Sequence, residues 1–387
     1  MSDISYLQIS TKTCSENCQG LVDFSSFQYD KKSWKVTKPC SLYFTDNKCY
    51  IPTGEAPNGS VGLVGICKTR ENFCACVLED GEKVWRVVMK SKKAPNGLKI
   101  NEGDFIKIGK VVLGVKVFGL GSSLVNSRVI QDFFEGDELD GRVLVPIEGN
   151  GEGEDVCRIC LNESNTKENP LLSPCNCSGT MKAIHQHCLQ KWVQTKVTAR
   201  ISSKTTSFLK KDICCELCSK QFPLKVLNNH QEFLLINFPS SSSLENFIAL
   251  EEFSTDQSQK LALHLINIPE NNKASIGRSV WSDLKFKDIS VSRKHCKLKR
   301  IGSDFYLKDK QSKYGTLVEV QNEVEIRDAE LTLQVGRTVF KITHKRPCNF
   351  KNCCKKNNKV DCEPGAGRTL MESNDGPTEV AGFIENC

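Results

Sequence analysis

Seven cysteines and one histidine between Asp155 and Pro223 stand at spacings suited to metal ligation. The run is Cys157-x2-Cys160, then fourteen residues, then Cys175-x-Cys177-x7-His185-x2-Cys188, then twenty-six residues and Cys215-x2-Cys218. Thiolate and imidazole are the donors that tetrahedral structural zinc selects, and a Cys-x2-Cys turn supplies two of the four corners from one tight loop. Four ligand pairs make two four-donor sites, so two zinc ions are expected as cofactors. Two neighbours fall outside this set. Cys214 would lengthen the last knuckle to Cys-x3-Cys, and His187 would leave no residue between itself and Cys188. Structural zinc contributes on the order of 10–16 kcal/mol in small metal-folded peptides, more than a core of this size supplies alone. Folding of this stretch is therefore expected to depend on metal.

The residues around the ligands, CRIC at Cys157–Cys160, SPCNCSGTMKAIHQHCLQKW at Ser173–Trp192 and CELC at Cys215–Cys218, resemble the RING-CH (RING-variant) zinc finger of ubiquitin ligases. The competing two-zinc family is the PHD finger, a chromatin reader. It keeps a tryptophan two residues before its seventh ligand, where this chain has Ile213, and a shorter gap before its histidine. Trp192, four residues after the sixth ligand, fits the RING pattern instead. By this resemblance the ligands cross-brace: Cys157, Cys160, His185 and Cys188 hold one zinc, and Cys175, Cys177, Cys215 and Cys218 hold the other. The resemblance also implies a ubiquitin-conjugating enzyme as partner, contacted by Ile159 in the first knuckle and by Trp192 on a short helix after Cys188. It implies no catalytic nucleophile, because a RING acts by positioning. Glu216 and Ser219 stand where many RING domains have a proline and a base, with Lys220 one residue further on.

A second set of residues suits phosphate. Gly277-Arg278, Ser292-Arg293-Lys294-His295 and Asp309-Lys310-Gln311-Ser312-Lys313-Tyr314-Gly315-Thr316 resemble the forkhead-associated (FHA) domain. A doubly charged phosphate favours guanidinium forks, hydroxyls and backbone amides, whose charge-assisted hydrogen bonds are the strong ones. By family position Arg278, Ser292, Arg293 and Lys313 would bind a phosphorylated partner, and His295 would hold the loops together from within. Tyr314 replaces the family's asparagine, which pairs a donor with an acceptor in a way a phenol does not. Two readings stay open here: phosphothreonine binding, and a sandwich that docks a partner or the zinc module without phosphate.

These sites need elements to hold them. Alternation in Val84–Val88, Phe105–Ile108, Leu261–Ile266 and Phe305–Leu307, with Pro-Asn-Gly turns at 57–59 and 95–97, predicts strands. The glycine-rich run 148–155 and the proline and serines of 239–243 read as linkers. The expected architecture is thus multidomain and mainly β. It comprises a β-rich region over 1–147, a degenerate FHA-like sandwich being one form of it, the RING-CH module over 155–224, an FHA β-sandwich over 245–346, and a disordered tail over 347–387. Ile108-Gly109-Lys110-Val111-Val112-Leu113 echoes Val335-Gly336-Arg337-Thr338-Val339-Phe340, which raises an internal duplication.

Composition narrows the function classes. With 39% apolar and 26% charged residues the chain is globular, and its 53 Lys and Arg against 46 Asp and Glu form no stripe with interleaved aromatics. That argues against a nucleic-acid partner. No apolar run reaches the ~20 residues of a membrane span, and the start MSDISYLQIS lacks the pattern of a signal peptide. Twenty-one cysteines without a secretion signal suit a reducing interior, cytoplasmic or nuclear. Cys74-x-Cys76 and Cys14-x3-Cys18 lack second pairs and read as buried or scattered thiols. Cys348, Cys353, Cys354 and Cys362 with His344 are too irregular for a zinc knuckle. The expected function is a soluble RING-type ubiquitin-protein ligase whose FHA domain selects phosphorylated partners; the rival is a zinc-binding FHA adaptor or scaffold that transfers no ubiquitin.

Overall fold

The computed structural model describes residues 5–345 apart from 15–20, 25–28, 46–47, 53–58, 69–71, 79–80, 89–94, 121–128, 131, 135–142, 148–154, 211–212, 224, 229–230, 237–245 and 327–329. Both expected linkers, save Asp155, the tail at 347–387, and Cys18, Cys348, Cys353, Cys354 and Cys362 lie outside the described residues. His344 is buried in its strand with its ring edge-on to Phe73, 5.7 Å between centroids.

Ten strands precede the zinc module: β1 (Tyr6–Cys14), β2 (Tyr29–Val36), β3 (Cys40–Thr45), β4 (Lys48–Tyr50), β5 (Val61–Lys68), β6 (Phe73–Cys76), β7 (Val84–Val87), β8 (Leu98–Ile100), β9 (Phe105–Ile108) and β10 (Val111–Leu120). Within and around the module lie β11 (Val143–Leu144), β12 (Leu171–Leu172), β13 (Ile184–His185), helix α1 (Gln186–Lys196), β14 (Thr198–Ile201), β15 (Thr205–Leu209), β16 (Lys225–Asn228) and β17 (Gln231–Leu234). Ten more follow: β18 (Asn246–Phe253), β19 (Lys260–Asn267), β20 (Lys273–Gly277), β21 (Leu284–Lys285), β22 (Cys296–Ile301), β23 (Asp304–Asp309), β24 (Thr316–Glu319), β25 (Val324–Ile326), β26 (Leu331–Val335) and β27 (Thr338–Lys345).

Strands β1–β10 and β18–β27 follow one pairing scheme, but each set completes the other. One long sheet runs β14-β15-β19-β18-β10-β9-β24-β7-β26-β27-β1-β2, and two five-stranded sheets run β21-β20-β22-β23-β8 and β25-β6-β5-β3-β4. The last three strands of each set are exchanged. Strand β10 pairs with β18, and β27 with β1, while β8 extends the sheet of β23 and β25 that of β6. Strands β7 and β24 join the halves, Leu317 opposite Val87 and Glu319 opposite Trp85. The boundaries 1–147 and 245–346 are thus not those of two separate sandwiches. The physical reason is that the hairpins β9-β10 and β26-β27 carry the same apolar alternation, so pattern alone does not choose the partner. The echo between 108–113 and 335–340 falls on the turns of these two hairpins, where Gly109 and Gly336 adopt positive φ of 66° and 51°.

Alternation along the strands sorts side chains into separate cores. Ile248, Leu250 and Ile266 face Ile106, Leu113, Phe305 and Leu307 inside the sandwich. The opposite face of β18 and β19, with Phe247, Ala249, Leu263 and Leu265, packs with Leu189, Val193, Phe208 and Phe222 of the zinc module. Strand β15 lies antiparallel to β19, Thr205 opposite Ile266 and Leu209 opposite Ala262. The long gap between Cys188 and Cys215 therefore holds the rest of α1 and a hairpin that extends the sheet.

The exchange makes a direct prediction. Gly119 of β10 lies opposite Phe247 of β18, and a β-carbon there would fall 1.9 Å from the buried ring. Gly119→Ala should destabilise the protein by about 1–3 kcal/mol through overpacking, read by thermal or denaturant unfolding. Unchanged stability would contradict the β10–β18 pairing.

Candidate metal centre and phosphate-binding loops

Each Cys-x2-Cys stretch of the module folds as the same turn. The amide of Leu161 donates to the Cys157 carbonyl at 2.8 Å and that of Ser219 to the Cys215 carbonyl at 2.9 Å. In the return direction Cys157 donates to Asn162 at 3.0 Å, and Cys215 to Lys220 at 2.8 Å. Leu161 and Ser219 close these turns at positive φ of 59° and 56°, uncommon for residues with a β-carbon. Backbone amides consequently point at sulfur: His185 N–H to Cys157 Sγ and Leu217 N–H to Cys215 Sγ, both at 3.4 Å.

The eight side chains gather into two groups, Cys157, Cys160, His185 and Cys188, and Cys175, Cys177, Cys215 and Cys218. Within each group all ligand atoms lie within 4.8 Å of one another. Cys214 and His187 belong to neither; His187 is exposed, and its amide donates to Asn169 Oδ1 at 2.9 Å. His185 is buried at the N-cap of α1, with Nδ1 3.2 Å from Cys160 Sγ. Its Nε2–H donates to the Ser164 carbonyl, a contact that fixes the tautomer and leaves Nδ1 free to ligate. Burial raises the Cys157 thiol, but the amides of Cys160, His185 and Ile159 outweigh it and bring the pKa down to about 6. Cys215 also falls to about 6, where the amides of Cys218 and Leu217 and the Arg158 guanidinium offset burial. Burial and crowding by neighbouring thiols push Cys175 and Cys188 up to about 12. Sulfurs gathered this closely suit a cation that accepts thiolates, and the donor sets fit zinc.

Arg158, inside the first knuckle, reaches the other group. Its Nη2 donates to Cys215 Sγ at 3.4 Å, and its Nη1 to the Met181 carbonyl at 2.9 Å, with Cys175 Sγ 3.8 Å away. A four-thiolate site around a divalent ion carries a net charge of −2, so a guanidinium there offsets charge and ties the two centres together. Sequence reasoning missed this role, although an arginine between two ligands was a visible signal.

Ile159 is 45% exposed at the third position of its knuckle. Leu217, 60% exposed, takes the same position in the second knuckle and was missed for want of that comparison. Trp192 on α1 is half-buried. Its ring meets Phe222 edge-on at 5.3 Å between centroids, and the Lys196 ammonium sits 4.8 Å from its centre and pairs with Glu216 at 2.7 Å.

At the other site, the loop after β20 packs on the loop before β22. A β-carbon on Gly277 would fall 2.4 Å from the Arg293 carbonyl, so this close approach requires glycine. The amides of Arg278 and Ser279 donate to the Ser292 and Arg293 carbonyls at 3.0 and 3.1 Å, and Arg278 Nε to the Val291 carbonyl at 3.3 Å. Fully buried His295 accepts the Ser292 amide on Nδ1 and donates from Nε2 to the Gly315 carbonyl, both at 3.0 Å. The Lys313 amide donates to Ser292 Oγ at 3.1 Å. Arg278, Ser292 and Lys313 are thus held on loops locked to one another, while Arg293 is exposed beside them.

The chain also supplies a partner to this apex. Asp23 pairs with Lys313 at 3.6 Å, the Phe24 amide donates to the Lys313 carbonyl at 3.4 Å, and the Phe24 ring packs where a Gly315 β-carbon would point. Lys313 also lies 5.2 Å from the centre of the Tyr314 ring. A cavity of about 700 Å3 opens beside the loops, walled by Ser292 and Lys313 together with Lys12 of β1 and Lys341 of β27. Trp281, three residues after Arg278, is 88% exposed.

The RING-variant domain family matches residues 157–218, and the FHA domain family matches residues 274–339. Among curated proteins the chain is similar to the E3 ubiquitin-protein ligase MARCHF1 of Homo sapiens, 38% identical over 69 residues, which cover 18% of this chain and 19% of that protein. It is also similar to the probable E3 ubiquitin-protein ligase MARCHF10 of Rattus norvegicus, 37% identical over 73 residues, 19% of this chain and 8% of that protein. The chain therefore spans less than a fifth of the length of these relatives. Among solved structures, the FHA domain of CT664 protein from Chlamydia trachomatis is 22% identical over 20% of this chain and 83% of that chain, with a TM-score of 0.12. The chain is mainly β and combines a zinc-binding RING-variant domain with an FHA domain. Among the described residues, no helix is long and apolar enough to cross a membrane.

The His295 geometry generates a titration prediction. Burial lowers its pKa below the ordinary 6.5. Stability from the neutral ring is then complete above about pH 6.5 and is lost as the pH falls below that, because the unfolded chain takes up the proton first. Nitrogen-15 NMR should find His295 as the Nε2–H tautomer and still neutral at 6.5. Half-protonation at or above that value would contradict the hydrogen-bond assignment.

Proposed function

We propose that the chain is a RING-type ubiquitin-protein ligase that binds two zinc ions and uses its FHA loops to engage a phosphorylated partner. The observation that carries the ligase reading is the pair of interleaved four-ligand groups within a RING-variant domain similar to MARCH ligases. Cys157, Cys160, His185 and Cys188 would hold one ion, and Cys175, Cys177, Cys215 and Cys218 the other. Zinc supplies cross-links that hold the two knuckles and α1 in register. Ile159, Leu217 and Trp192 present apolar surface to a ubiquitin-conjugating enzyme. No side chain of this chain forms a covalent intermediate; the module acts by holding a charged conjugating enzyme in a reactive orientation. Arg278, Ser292, Arg293 and Lys313 bind phosphate through charge-assisted donors on preorganised loops. Reduced thiols suit the cytoplasm or nucleus.

A second reading, an FHA surface that docks a partner without phosphate, is favoured by Tyr314 and by the Asp23 carboxylate already paired with Lys313. The two readings differ in outcome for phosphopeptides.

Two measurements test these roles. With the full chain and a panel of conjugating enzymes, ubiquitin transfer should be detectable, and Ile159→Ala should lower it about tenfold or more while zinc content stays unchanged. No transfer with any enzyme in the presence of bound zinc would favour an adaptor. A phosphothreonine peptide library should bind the wild type and lose about tenfold or more in affinity on Arg278→Ala. Asp23→Asn should raise affinity roughly two- to fivefold, the size of an exposed ion pair. Equal binding by wild type and Arg278→Ala would leave the phosphate-independent reading.

A further inference from the structure

Apart from the zinc module, one other set of metal-ligating side chains converges among the described residues. The ligand atoms of Cys67, Cys74 and Glu323 all lie within 4.8 Å of one another. Pairing of β5 with β6 sets Cys67 directly opposite Cys74 and Gly65 opposite Cys76. Because side chains alternate along a strand, Cys74 and Cys76 share one face, while Phe73 and Ala75 enter the core on the other. The Cys76 thiol faces Gly65 on this side but is not among the three groups that converge. Gly65 makes room for it: a β-carbon there would fall 2.6 Å from Cys76 Sγ. The sulfur thus occupies space that any other residue at position 65 would fill.

The carboxylate arrives through the strand exchange. Strand β25 pairs with β6, Glu325 opposite Cys74, and Glu323 sits just ahead of β25. Cys74 is buried, Cys67 and Cys76 are half-buried, and Glu323 is exposed. Soft sulfur donors are therefore shielded from water on one side, and an oxygen donor stands at the open side. Calcium and magnesium prefer all-oxygen shells, so two thiols with one carboxylate select zinc or a similarly thiophilic divalent ion.

We propose that Cys67, Cys74 and Glu323 form a third metal site, for zinc or a comparably thiophilic divalent ion, which clamps the exchanged C-terminal strands to the N-terminal sandwich. The site lies outside the RING-variant domain and is independent of whether that domain transfers ubiquitin. Its three donors come from β5, β6 and the approach to β25. Neither Cys-x-Cys nor the isolated glutamate carries such a site in the sequence, because the exchange alone brings them together.

The test is the metal content of the full chain after zinc loading and dialysis against a weak chelator. The wild type should retain one ion per chain more than the Cys67→Ser, Cys74→Ser double variant, whatever the total held by the RING-variant domain. Equal content in the two proteins would overturn the site. Because Cys74 is buried, Glu323→Gln provides a variant on an exposed side chain. It should make one ion at least about tenfold easier to remove in chelator competition, as loss of a direct ligand exceeds the usual effect of an outer-shell change. Unchanged competition in Glu323→Gln would overturn the clamp. With cobalt in place of zinc, the sulfur-to-metal charge-transfer absorption should fall in the double variant, and an identical spectrum would count against thiolate ligation.

Discussion

The pairing of β10 with β18 and of β27 with β1 is the constraint on which the rest of the structure depends. Each sandwich leaves an edge that only the other's final hairpin covers, and an uncovered edge of this length invites aggregation. The exchange also decides which residues meet at the sites. It sets β1 and the segment Val22–Phe24 beside the FHA loops, so their apex carries Asp23 as a built-in anion at Lys313. It sets Glu323 beside the β5-β6 thiols. Contacts between residues so far apart in sequence require the closure of long loops before they are rewarded, which predicts slow folding relative to a single sandwich.

The zinc module is built onto this frame instead of tethered to it. Strand β15 continues the sheet at β19, and Phe247, Ala249, Leu263 and Leu265 turn their side chains out of the sandwich into the module's core. The distance between the FHA loops and the exposed Ile159 and Leu217 of the knuckles is then set by strand pairing, which suits the proposed positioning role. Arg158 serves the same end at smaller scale by linking the two ligand groups through Cys215 and Cys175.

The legibility of these features in the sequence follows from the range of the forces involved. Ligand spacing was readable because tetrahedral geometry acts over a few residues: two knuckles with the same amide pattern, and a histidine whose second nitrogen is held by a nearby carbonyl. Strands were readable from alternation, as in β7, β9, β19 and β23. The partner of each strand was not. Hairpins β9-β10 and β26-β27 carry nearly the same pattern, and choice between them rests on long-range packing such as Gly119 against Phe247. Asp23 escaped notice because its partner, Lys313, lies far away in the chain, whereas Arg158 and Leu217 had local signals within their knuckles. Cys74 and Cys76 read as buried or scattered thiols, because Cys67 and Glu323 reach Cys74 only through strand pairing.

The described residues between 5 and 345 form one interlocked body and not two sandwiches joined by a finger. Native-state hydrogen exchange, resolved by residue across a denaturant series, tests this most directly. Amides of β10, β18, β27 and β1 should open at one common free energy, equal to that of global unfolding. Exchange of β1–β10 at a distinctly lower free energy, with β18–β27 still protected, would contradict it.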